Sequence, residues 1–413
     1  MGIGNTKGLS EAKVNKTDKY IIFALCSLLF MPAINNFFNS FLQVGLEIEI
    51  GLITPLIYIF MLFCAVFFLY RHIFYKISLV LFCLVLFAGV GISCLIYPEI
   101  REILYDSPVD LVYSPINKLV FFCIPAMIGV VRLNDYKKFF SAMKMWSRIT
   151  LVLGAIVCLY VYVYLERDIQ YMSYSYFMLI PICVCYESAR AQKIKTDLIF
   201  ALLGTGCVIL CGARGAVVSI LLYIIIVWFF LDYQKHILRV ALMLILVFLI
   251  LVYYNEILDM VVDICNRIGV NSRFISALSE GALGESSTRD QITEALFAGV
   301  RSNPFGYGFF GDRYVIGTFG YHIYTYSHNI FTEMICDFGI VLGIFLIAAL
   351  MFRMVKTTLH CKDESFRSVW LALLPYGFIQ LLFSSSYLEN LAFFMMLGMA
   401  FFVKLKKHPK EKM

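Results

Sequence analysis

Apolar runs, each closed by a short polar patch, recur from one end of the chain to the other. They fall near residues 20–38, 50–70, 73–97, 113–131, 149–165, 171–188, 198–213, 215–231, 237–254, 329–352, 369–386 and 390–403. A helix of about 20 apolar residues crosses the ~30 Å hydrocarbon core with its backbone polar groups satisfied internally. The pattern therefore predicts an all-α integral membrane protein of about twelve transmembrane helices. One long interruption, residues 255–326, separates helices nine and ten. The expected organisation is a tail over 1–19, helices one to nine over 20–254, a large loop with a short amphipathic helix over 255–326, helices ten to twelve over 327–403, and a second tail over 404–413.

The distribution of charge orients these helices. Alternate connections hold Arg71 and Lys76, then Arg132, Lys137, Lys138, Lys144 and Arg148, and so on to the lysines after 403. Together with the first tail, one side carries 25 of the 34 Lys and Arg residues. Five of the other nine lie in the long loop, where the positive-inside rule has little force. Both termini are thus expected in the cytoplasm, with residues 255–326 facing outward. The alternation would fail with an odd number of spans.

The composition, 61% hydrophobic and 15% charged, agrees with this reading. The net charge of +6 is parcelled among connections and forms no patch, so no nucleic-acid partner is expected. Most of the 13 cysteines lie within apolar runs (Cys26, Cys64, Cys83, Cys123, Cys158 and Cys207), where they behave as small hydrophobes. There is no CxxC pair, which argues against a zinc site or a disulfide framework. Met31-Pro32-Ala33 lacks a small-residue cleavage pattern, so no cleaved signal peptide is expected.

Candidate chemistry gathers in and beside the long loop. Ser287 and Asp290 resemble a capping box ahead of a helix whose Ile292, Leu296 and Val300 share a face with Arg289. An arginine in the first turn of a helix suits an anion, though a snorkelling surface arginine gives the same spacing. Arg301 shares the opposite face with Asp290 and Glu294. Residues 306–311 match GxGxxG, but no βαβ unit surrounds them, so the glycines are read as turn formers. Tyr307, Tyr314, Tyr321, Tyr324 and Tyr326 are read as an interfacial belt or as sugar-stacking surfaces. His328 stands at the start of the tenth span, followed at i+4 spacing by Asn329, Glu333 and Asp337. Two acids in an apolar helix predict a wet or partnered interior. Arg214, about 24 Å of helix beyond Asp197, falls near the outer headgroup level.

These motifs resemble, in order, those of the O-antigen ligase and polymerase superfamily of bacterial glycan assembly. The resemblance is carried by Gly212-Ala213-Arg214-Gly215-Ala216 and Ser287-Thr288-Arg289. It continues with Ala298-Gly299, Asn303-Pro304-Phe305-Gly306-Tyr307-Gly308, Ser327-His328-Asn329, Glu333, and Phe338-Gly339-Ile340 with Gly343. It covers roughly 205–345, while the earlier part of the chain is similar in architecture only. Phe297 and Ala298 stand where relatives often carry a tryptophan.

The resemblance implies a GT-C-type membrane glycosyltransferase, independent of metal and cofactor, whose donor is a glycan on undecaprenyl diphosphate. Arg214, Arg289 and His328 would be the catalytic set. The arginines would stabilise the diphosphate and the histidine would activate the acceptor hydroxyl. Asn329, Arg301, Tyr307, Glu333, Tyr324 and Tyr326 would bind substrate. Partners would be membrane lipids, the lipid-linked oligosaccharide and a chain-length regulator protein.

A polymerase joining lipid-linked repeats is favoured; a ligase transferring glycan to lipid A-core is an alternative. A lipid-linked oligosaccharide flippase is another, although the uneven division of the chain shows no repeated halves. A metal-dependent transferase using Glu47-Ile48-Glu49 rests on a weak signal.

Overall fold

The computed structural model describes residues 5–48, 53–105, 114–165, 171–211, 213–228, 288–321 and 325–403. Every regular element among them is helical. In chain order they are α1 (Asn5–Asn39), α2 (Ile53–Tyr70), α3 (Ile77–Ile96), α4 (Pro98–Tyr105), α5 (Pro115–Arg132), α6 (Tyr136–Tyr164), α7 (Tyr171–Gln192), α8 (Lys195–Cys211), α9 (Arg214–Ile226), α10 (Thr288–Ser302), α11 (Gly311–Thr318), α12 (Ile330–His360), α13 (Glu364–Leu374) and α14 (Leu391–Phe402). Among the described residues, five segments are long and apolar enough to cross a membrane: Thr17–Gly45, Ile77–Ile96, Pro115–Arg132, Tyr136–Tyr164 and Ile330–His360. The protein is an integral membrane protein of the all-α class.

The expected run at 237–254 lies outside the described residues, and each of the other apolar runs coincides with helix. Boundaries differ for local reasons. The run at 73–97 begins its α-helix only at Ile77, after a short turn at Ile73–Tyr75. The run at 149–165 belongs to a helix that begins at Tyr136, because the amphipathic stretch Tyr136–Arg148 continues the same winding. The helix that contains 329–352 is broken at Gly339 (φ 77°, ψ 173°), so its first nine residues form a separate short rod. The run at 369–386 stops being helical at Leu382.

The chain divides into two compact units. One comprises Met1–Leu29, Ile59–Met143 and Arg289–Met413; the other comprises Phe30–Tyr58 and Lys144–Thr288. In the first unit, glycines let α5 pack closely on α1 and α2 and on α14. A Cβ at Gly129 would collide with Leu25 and Leu69, and one at Gly398 with Val130 and Met127. In the second unit, Gly204 of α8 lies against Leu151 and Ile182, and Gly154 against Met178. Close backbone approach through small residues is how helices associate in lipid, where burial of apolar surface gives no net drive.

Polar pairs reinforce the second unit: Arg148 pairs with the buried Asp197 at 2.7 Å, and Arg190 with the buried Glu187 at 2.7 Å. Cys158, Cys207 and Cys211 are buried there as thiols, in line with their reading as small hydrophobes, whereas Cys64 is exposed on the apolar surface of α2.

Candidate functional site

Helix α10 is amphipathic, as its spacing predicts. Ile292, Leu296 and Val300 are buried together with Val315 and Ile316 of α11 and Cys336 of α12. Gly299 leaves the space that Val315 fills. This contact fixes α10 against the first rod of α12. Arg289 lies one turn before the apolar stripe and is exposed, and its Nη1 donates to the Phe383 carbonyl at 3.2 Å.

Asn329 caps α12. Its Oδ1 accepts from the Phe331 amide at 2.8 Å, and its Nδ2 donates to the Leu382 carbonyl at 3.2 Å. The residue before it, His328, is held in the left-handed region at φ 58°. Its ring is stacked at a tilt on Tyr326, with centroids 4.2 Å apart, and Tyr326 Oη lies 3.3 Å from Ser384 Oγ. The Nδ1 atom is buried and has no hydrogen-bond partner among the described residues. Burial, with the Arg289 charge acting in the same direction, pushes the imidazole pKa down to about 4. His328 is therefore neutral near pH 7, beside a cation.

The two acids expected to face a wet or partnered interior are partnered, and enclosed, by protein. Glu333 and Asp337 are both fully buried. Ser386 Oγ donates to Glu333 Oε1, and the Tyr387 amide donates to Oε2 at 3.2 Å. Tyr387 Oη donates to Asp337 Oδ2 at 2.8 Å, and the Asp312 amide to Asp337 Oδ1 at 3.2 Å. Asp312, also buried, accepts from the Ser327 amide at 3.0 Å. Burial pushes the Asp312 carboxyl above its ordinary range, and the Arg313 charge opposes that rise. Next to this cluster, Glu389 joins the buried Arg313 and, at 2.7 Å, Lys118.

The glycine-rich segment has a more specific task than forming turns at a surface. The Tyr307 and Gly308 amides donate to the Cys336 and Asp337 carbonyls at 3.0 and 2.8 Å, and the Ile340 amide donates to Pro304 O at 2.9 Å. The break in α12 frees these groups, and the loop satisfies them as buried backbone groups must be satisfied. Asn303 secures the loop, donating to Gly306 O at 2.7 Å and to Tyr97 Oη at 3.2 Å.

The structure thus brings Arg289, Tyr326, Asn329 and Glu333 onto one short segment, residues 382–387, with His328 against Tyr326. The other expected residues lie elsewhere. Arg301 is exposed at the far end of α10, about 18 Å along the helix from Arg289. Tyr307 belongs to a cluster with Tyr97 and Tyr314, and its hydroxyl donates to Gly299 O at 3.0 Å. Tyr324 lies outside the described residues. Arg214 belongs to the second unit, where it is the exposed first residue of α9 after Ala213, in an extended conformation.

Sequence reasoning did not single out Asp312, Arg313, Lys118, Glu389 or the Ser384-Ser385-Ser386-Tyr387 run. The available signal was the polar block from Ser384 to Asn390 between two apolar runs. At Ser385 the backbone is left-handed (φ 71°), which turns the chain between the Phe383 carbonyl and the Ser386 hydroxyl.

Residues 199–347 match the family model described as O-antigen ligase. The match contains Arg214, Arg289, His328, Asn329 and Glu333 and stops before the 382–387 segment that gathers most of them. No curated protein and no solved structure matches the chain.

Proposed function

We propose, of a chain that belongs to the O-antigen polymerase/ligase superfamily through residues 199–347, that it is a polymerase. It joins undecaprenyl-diphosphate-linked oligosaccharide repeats at the outer face of the plasma membrane. In this reading twelve spans carry the chain, both termini are cytoplasmic, and the 255–326 loop is outside. The observation that carries the reading is that an arginine and the histidine turn meet on one segment: Arg289 bonds to Phe383, while Tyr326 and Asn329, on either side of His328, bond to Ser384 and Leu382.

The acceptor hydroxyl gives its proton to His328 as its oxygen bonds to the anomeric carbon of the donor glycan. The bond from that carbon to the diphosphate oxygen breaks, and the electron pair leaves with the lipid diphosphate. Arg289 stabilises the charge that develops there, through forked charge-assisted hydrogen bonds. The diphosphate also offsets the Arg289 charge that depresses His328, so donor binding strengthens the base at the moment it is needed. Tyr326 and Tyr307 offer aromatic faces to sugars, Arg301 a second cation further along α10. Asn329 and Glu333 hold the histidine turn against residues 382–387.

The match to an O-antigen ligase family favours a second reading, ligase, in which lipid A-core supplies the acceptor hydroxyl. The chemistry is the same and only the acceptor differs. Purified protein supplied with lipid-linked repeats in detergent separates the readings. Longer lipid-linked chains without any added acceptor support the polymerase. Transfer only when lipid A-core is present supports the ligase, and no transfer in either case contradicts both.

A further inference from the structure

We infer that Asp312 is a positioning residue for His328, an inference that rests on the reading of His328 as the base. His328 occupies the left-handed region (φ 58°), where a non-glycine residue stays only if its surroundings over-determine it. Its C-terminal flank is fixed by Asn329, which caps α12. Its N-terminal flank is fixed by Ser327, whose amide donates to Asp312 Oδ2 at 3.0 Å and whose Oγ donates to the Asn329 carbonyl at 2.9 Å.

Asp312 is itself anchored, because its own amide donates to Asp337 Oδ1 on α12 at 3.2 Å and it sits in the first turn of α11. Both flanks of the histidine turn are therefore referred to the same helix, directly at 329 and through Asp312 and Asp337 at 327. A carboxylate buried beside two other acids is a costly choice for packing alone. What it provides is a strong acceptor at one defined point, the Ser327 amide. Without that acceptor the Ser327 amide is unsatisfied and the left-handed turn relaxes, moving the imidazole away from the acceptor hydroxyl.

The test uses the full-length protein in detergent with lipid-linked glycan extracted from a host strain deleted for the gene. Asp312→Ala is expected to lower kcat ~30-fold or more with KM changed less than ~3-fold, since misplacing a reacting group by an ångström reaches this scale. Asp312→Asn keeps the acceptor oxygen and is expected to retain at least about a third of kcat. Asp312→Glu keeps the charge but moves the acceptor, and is expected to be impaired like Ala. A fully active Asp312→Ala beside an inactive His328→Ala overturns the positioning role and leaves the base intact. An active His328→Ala overturns the base itself. If Asp312→Ala does not fold, the other two decide: an active Glu variant with an inactive Asn variant contradicts the inference.

Discussion

Gly306 and Gly339 are locked face to face: a Cβ on Gly306 would overlap the Gly339 amide nitrogen, and a Cβ on Gly339 would overlap the Pro304 carbonyl oxygen. Both are in the left-handed half of backbone space, at φ 88° and 77°. The loop that carries one and the helix break that carries the other exchange backbone hydrogen bonds, so neither conformation is supported alone. This interlock places the first rod of α12, with His328 just ahead of it, against α10 and α11.

Alanine at either position combines a left-handed backbone, costing about 1–2 kcal/mol, with overpacking worth about 1–3 kcal/mol. Each single variant is expected to melt well below wild type in detergent. The double variant should lose less than the sum, because the two sites share one contact. Full additivity in the melting free energies would show that the glycines act independently.

Arg289→Ala is expected to reduce kcat about 10²–10³-fold, the scale for removing a donor to developing negative charge. Arg289→Lys should recover only part of that loss, because an ammonium lacks the planar fork. Steady-state kinetics on lipid-linked repeats check both. A lysine variant with wild-type kcat would reduce the arginine to a simple point charge.

With His328 as the proposed base, its pKa of about 4 is expected to set the acid limb of the reaction. The neutral base is present in the free enzyme above that value, so kcat/KM should stay level as pH falls through 6.5 and drop only below about 5. Replacing Arg289 by Gln removes one of the two causes of the shift and should move the acid limb upward in the residual activity. The same group contributes to stability with a definite sign. Its folded pKa lies below the unfolded 6.5, so the unfolded state binds more protons between the two. The contribution of His328 is therefore complete above pH 6.5 and is lost as pH falls toward 4. Melting curves across that window should show wild type losing stability relative to His328→Gln as pH falls.

Glu389 neutralises the buried Arg313 as well as Lys118. Glu389→Ala leaves a buried guanidinium without its carboxylate, and removal of one partner of such a pair costs about 3–5 kcal/mol. A large fall in melting temperature is expected, with partial recovery in Glu389→Ala combined with Arg313→Met. No recovery would mean that Glu389 supports the fold through Lys118 rather than Arg313.

The sequence made the membrane character legible because a helix in lipid must be apolar for its whole crossing, and these runs are. It made α10 legible because Ile292, Leu296 and Val300 repeat at helical spacing, and it placed Glu333 and Asp337 on one face for the same reason. It did not reveal what meets that face. Ser386 and Tyr387 lie some fifty residues later, in a polar block that reads as an ordinary connection between two spans. The break at Gly339 was hidden because the apolar pattern continues across it without interruption. Gly306 reads as one of several turn glycines and Gly339 only as part of a motif that resembles the family's, and their apposition shows why both are glycine.

Arg289 and His328 are proposed to carry glycan polymerisation, and a complementation ladder puts that to the test. The gene is deleted in its host, and surface and lipid-linked glycans are sized after return of wild type, Arg289→Ala or His328→Ala at equal expression. The account expects long chains with wild type and only single repeats, correctly exported, with either variant. Long chains from either variant would contradict it, as would single repeats trapped at the cytoplasmic face in the deletion strain.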